Sequence, residues 1–166
     1  LGLSYPAGAA MERLAASGEE DAVRRAHADW FVAFAARAAP GLRGPESSAW
    51  TRRIEADLPN VRAAHEWLAR TGDALGSMRL AVALGWFWSS TGYFHEGRSL
   101  VASVLALPGA EDHPALFADA LALAGAIDEW LGDLDAAEAR YQQALDRYRA
   151  LGDHANVAGL TRGLGS

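Results

Sequence analysis

A chain of 166 residues, 51% hydrophobic and 22% charged, can bury a proper core as one domain or one short solenoid. It contains no cysteine and carries a net charge of −6, which removes disulfides, thiolate metal sites and cysteine nucleophiles and argues against a DNA-binding face. Its longest apolar run, Leu80 to Trp88, is nine residues, against the about 20 that cross a bilayer, and Leu1 to Ala10 lacks the basic-then-apolar layout of a signal peptide, so a cytoplasmic protein is expected.

In chain order the text reads as helices. A short one is expected from Ala10 to Ala16, broken by Ser17-Gly18. A long one follows from Glu19 to Ala38, with Glu19, Glu20 and Asp21 in the turn where the helix dipole favours acids. Val23, Ala26, Trp30, Ala33 and Phe34 form its apolar set at helical spacing. Pro40 through Pro45 reads as a loop, and two helices are expected beyond it, Glu46 to Asp57 and Pro59 to Arg70. Thr71-Gly72-Asp73 then stops one helix and caps the next.

From here the chain repeats. Gly85, Gly125 and Gly165 lie 40 residues apart (125 − 85 = 165 − 125 = 40), and Gly92 and Gly132 keep the same step. A fixed period of this size signals stacked supersecondary units. Glycine inside a helix costs about 1 kcal/mol against alanine, so recurrence at one phase predicts close contact with a second helix. In the later unit Gly132-Asp133 ends the first helix, and the second carries Ala137, Tyr141, Ala144, Tyr148 and Leu151 as one buried stripe. Gly152-Asp153 repeats the stop. The units run over about 78–112 and 118–152, a third begins at 158, and no strand is expected.

Leu121, Ala124-Gly125, Gly132-Asp133-Leu134, Ala137, Tyr141 and Ala144-Leu145 resemble a tetratricopeptide repeat, as do Leu84-Gly85, Trp88, Gly92-Tyr93-Phe94 and Leu105 in the earlier unit. The period exceeds the usual value of about 34, Asp128 stands where the pattern has a large aromatic, and Gly97 replaces the alanine matched by Ala137. Longer periods occur in the sensor arms of bacterial signal-transduction ATPases, the LuxR-type and MalT-like transcriptional regulators. Met11 to Glu19, Arg24 to Phe31, Gly41 to Pro45, Trp50 and Ile54 to Ala64 are similar to the segment that follows their nucleotide-binding and winged-helix domains. The resemblance implies an all-α fold, a right-handed superhelix of antiparallel helix pairs over 73–166. It also implies an N-terminal helical segment, 1–72, that joins an ATPase part outside this chain to the repeats.

Catalytic signatures are missing from the sequence. His27, His65, His95, His113 and His154 are scattered and none forms HExxH; there is no G-x-S-x-G and no phosphate-cradling G-x-x-x-x-G-K-[ST], the chain having no lysine at all. No enzyme activity, metal or cofactor is expected here, and ATP is expected only in the parent's ATPase domain. Asp133, Asp135 and Glu138 read as caps and solvated acids. Asp128 falls between neighbouring helices, where a partner arginine would make it structural and a ligand amine functional.

The first helices of stacked pairs line the concave side, which nominates Arg79, Val82, Trp86, Ser89 and Ser90 from one unit and Asp119, Ala122, Ala126, Glu129 and Trp130 from the next. Trp86 and Trp130 suit aromatic anchors for a peptide or small-molecule inducer, with core burial as the competing reading; Trp30, Trp50, Trp67 and Trp88 are assigned to packing. The function expected is a non-catalytic sensor or interaction arm, binding a protein partner or an inducer and signalling to its own ATPase domain. Self-association through the incomplete last repeat is also expected. A free-standing repeat scaffold is the alternative, and a helical-bundle enzyme with a core metal the third.

Overall fold

The computed structural model describes residues 12, 13 and 18–164. Gly165 and most of the expected helix Ala10–Ala16 lie outside them; Glu12 and Arg13 are helical. Among the described residues the fold is all-α and no strand occurs.

Helix α1, Glu19–Gly41, packs on α2, Ser47–Arg70, and on α3, Ala74–Ala83. Its buried side is Ala28, Phe31, Phe34, Ala35 and Ala38, whereas Val23, Ala26, Trp30 and Ala33 are exposed. The expected apolar face was therefore rotated. The helix is apolar on more than one side, so two stripes satisfy helical spacing and only the neighbours decide which is covered. Trp30, assigned to packing, is half exposed and lies flat on Phe34 with ring centroids 5.6 Å apart.

Two proline boundaries also move. Pro40 sits inside the last turn of α1, and α2 runs unbroken through Pro59 where two helices were expected. Proline interrupts a helix at about 3 kcal/mol. Around Pro59 the buried residues Ile54, Leu58, Val61, Ala64 and Leu68 hold a continuous helical stripe against α1, and that burial outweighs the missing donor.

The expected first helix of the earlier repeat is kinked. It divides at Leu84 into α3 and α4, Gly85–Ser90, although Leu84 N–H still donates to Leu80 O and Trp88 N–H to Leu84 O. Helix α5, Phe94–Leu105, a short 3₁₀ turn at Ala110–Asp112, and α6, Pro114–Trp130, follow. The last two are α7, Leu134–Ala150, and α8, His154–Leu164.

One turn occurs three times. Gly72, Gly132 and Gly152 take φ of +74°, +79° and +69°, and the next residue, Asp73, Asp133 or Asp153, accepts the backbone N–H of Gly76, Ala136 or Asn156 at 2.8, 3.3 and 3.1 Å. Glycine makes the left-handed turn and aspartate caps the next helix.

Within the α6–α7 pair a Cβ on Gly125 would stand 2.7 Å from the Tyr141 ring, so the expected close approach is there. Gly85 instead meets Leu123 of α6, at 3.2 Å from an added Cβ, and therefore seats one first helix against the next. Ala137, Tyr141, Ala144 and Tyr148 of α7 are buried, but Leu151 is 43% exposed. It is the residue that follows α7 and caps its C-terminal end.

Candidate functional site

A groove of about 480 Å³ runs between α3–α4, α6, α7 and α8. Repetition places its walls. Val82, Trp86 and Ser89 of α3–α4 line it with Ala122, Ala126 and Glu129 of α6, each the residue 40 positions later. Asp119 and Trp130 line it too.

Their counterparts Arg79 and Ser90 are not among its lining residues. Arg79 is exposed on α3 and adds to the field that, with the Gly76 N–H and Arg25, more than offsets burial and holds Asp73 below the usual aspartate value. The Ser90 hydroxyl donates to Trp86 O, and that of Ser89 to Gly85 O at 2.9 Å, so both bond their own helix.

Both nominated tryptophans lie at the surface of the groove, against the competing reading of core burial. Trp86 is 44% exposed with the Arg43 guanidinium 5.5 Å from its ring centroid. Trp130 is 66% exposed and stacked on Phe94 at 5.9 Å.

The sequence reading missed Arg43, Tyr141, Tyr148 and Asn156 at the groove. Tyr148 Oη donates to Asp119 Oδ1 and Tyr141 Oη to Glu129 Oε2, both at 2.7 Å. Burial first, then the bond to a carboxylate and its charge, push both phenols far above their ordinary value. They remain neutral donors, and each carboxylate is held in place by a rigid ring. A buried tyrosine needs a partner for its hydroxyl, and that requirement is the signal in the sequence that α7 reaches the groove.

Asp128 faces a different, smaller cavity of about 330 Å³ between α5, α6 and α7. It is 4% exposed, and Arg98 Nε stands 2.8 Å from Oδ1 while Arg98 Nη2 donates to Asp133 Oδ2 at 2.7 Å. A partner arginine is present, and the structural reading holds. Burial, with a smaller push from Asp133, raises the Asp128 pKa, and Arg98 and Arg140 pull it back. A group raised in the fold contributes stability that is whole below its unfolded pKa and lost as pH rises through the folded one.

Arg98→Ala removes a cation that offsets this, so the thermal midpoint should drop at neutral pH. Asp133 acts in the same sense. Its bond to Arg98 holds it below the usual value, a contribution present above the unfolded pKa and lost as pH falls. The deficit should therefore close as pH falls through the aspartate range; melting curves with the same deficit at every pH would contradict the pairing.

His27 Nε2 lies 3.5 Å from Asn60 Oδ1, and His65 Nε2 3.1 Å from Ser103 Oγ, with burial lowering the His65 pKa. Among the described residues no three metal-ligating side chains come together, and no helix is long and apolar enough to cross a membrane.

No family model matches the chain, and no solved structure matches it at a significant level. Among curated proteins it is similar to three that carry the name HTH-type transcriptional regulator, one from Mycobacterium bovis and two from strains of Mycobacterium tuberculosis. Each is 32% identical over 161 aligned residues covering 88% of this chain. The chain spans only 17% of the length of those relatives; it is homologous to one segment of proteins named as transcriptional regulators.

Proposed function

We propose that this chain is the sensor and interaction arm of a transcriptional regulator, a non-catalytic stack of tetratricopeptide-like helix pairs that takes an inducer or partner in the α3–α8 groove. The observation that carries it is the groove itself, where eight of the ten positions nominated from the repeat lie together around two exposed tryptophans. Three copies of one capped turn and the Gly125–Tyr141 approach support stacking of like units. Similarity to a segment of much longer regulators favours an arm over a free-standing scaffold. Nucleotide chemistry and DNA contact then belong to other parts of the parent, which we place in the cytoplasm.

An arm of this kind acts only if its ligand has different affinities for two states of the parent. The first requirement is binding. A thermal-shift screen of small molecules and peptides against the wild-type chain and Trp86→Ala should yield hits whose stabilisation disappears in the variant. Hits kept in full by the variant, or none for the wild type, would sink the reading.

A further inference from the structure

The two acids of the groove are held without an arginine among the described residues. Among the described residues, Asp73, Glu96, Glu111, Asp128 and Asp133 each have an arginine within ion-pair distance. Asp119 and Glu129 belong to none of the described ion pairs, and each instead accepts a neutral tyrosine hydroxyl through one oxygen. That bond fixes the carboxylate without neutralising it. The other oxygen is left with accepting capacity.

These two acids are ten residues apart on α6 (129 − 119 = 10), hence about 15 Å along the helix axis. Exposed indole faces, Trp86 and Trp130, lie on the same groove. Indole attracts cations over its face and covers methylene chains. The Arg43 guanidinium over Trp86 shows one such face already holding a cation, and among the described lining residues it is set against two carboxylates, a net charge of −1.

We infer that the groove takes an extended organic polycation, a linear polyamine whose terminal ammonium groups meet Asp119 and Glu129 while its methylenes lie along Trp86. This rests on the groove being the binding site proposed above and adds the chemical class of its ligand. Carboxylates carried by positions this far apart along α6 select for length as well as charge. Spermine reaches across, and a five-carbon diamine does not.

Isothermal titration of spermine into the full chain at moderate salt tests this. Asp119→Asn and Glu129→Gln keep an acceptor for the tyrosines and remove the charge, and each should weaken binding by about tenfold, the loss of one charge-assisted contact. Arg43→Ala removes a competing cation and should tighten it. Asp135→Asn, an exposed acid outside the groove, should leave it unchanged. Cadaverine should bind far more weakly than spermine.

Equal weakening by Asp135→Asn, cadaverine matching spermine, or weaker binding in Arg43→Ala would each overturn the polyamine assignment. So would no binding of spermine. If a neutral or anionic compound, or an oligolysine peptide, then stabilises wild type but not Trp86→Ala, the groove reading survives and only the ligand class falls.

Discussion

Trp88→Ala is expected to lower the free energy of unfolding by about 4 kcal/mol, within the range for deleting a buried aromatic side chain. Trp88 is fully buried, edge-on to Phe87 with centroids 5.1 Å apart, and its Cβ lies 2.7 Å from where a Cβ on Gly97 would stand. Gly97 admits the Trp88 Cβ, which alanine keeps, so α4 and α5 stay seated and the space of the lost indole is left as a cavity. Trp88→Phe should be far milder. Among the described residues the buried indole Nε1 has no hydrogen-bond partner, and replacing the ring removes an unsatisfied donor worth about 1–3 kcal/mol along with some packing area. Equilibrium urea unfolding of both variants measures the difference; an alanine variant within about 1 kcal/mol of the phenylalanine one would mean that the site collapses around its loss. Trp86 shares α4 with this anchor, so the groove wall depends on it.

Features governed by local chemistry were legible in the sequence. The Gly-Asp stops at 72–73, 132–133 and 152–153 are turns because the left-handed glycine and the capping carboxylate are chemistry of adjacent residues. The groove positions followed from phase. Val82 with Ala122, Trp86 with Ala126 and Ser89 with Glu129 occupy two facing elements at one spacing.

What was hidden depends on neighbours. Arg43 comes from the turn after α1, which shares no register with the repeat. Tyr141 and Tyr148 were assigned to a buried stripe and are buried, but their hydroxyls extend to the groove acids. A stripe records which side is covered and says nothing of how far a long side chain reaches. Burial of Phe31 in place of Trp30 on α1, and passage of α2 through Pro59, were likewise decided by the packing partner.

Gly125→Val should destabilise the chain by about 3 kcal/mol, at the upper end of ordinary overpacking. On a free helix replacing glycine by a side chain is favourable, alanine gaining up to about 1 kcal/mol, so the expected loss has to come from contact. An added Cβ at Gly125 would sit 2.7 Å from both Cδ1 and Cε1 of Tyr141. That ring is buried and its hydroxyl is tied to Glu129 at 2.7 Å, so it can move aside only by breaking that bond. The control is Gly159, since among the described residues nothing lies within 4 Å of a Cβ built there. Gly159→Ala should stabilise by about 0.5–1 kcal/mol, the helix-propensity gain alone. Opposite signs for a glycine at the helix contact and one in open space, read by the same unfolding titration, tie the period of the sequence to backbone approach. If Gly125→Val proved neutral, α6 and α7 would have room to part, and the reason for a glycine at that phase of the repeat would be gone.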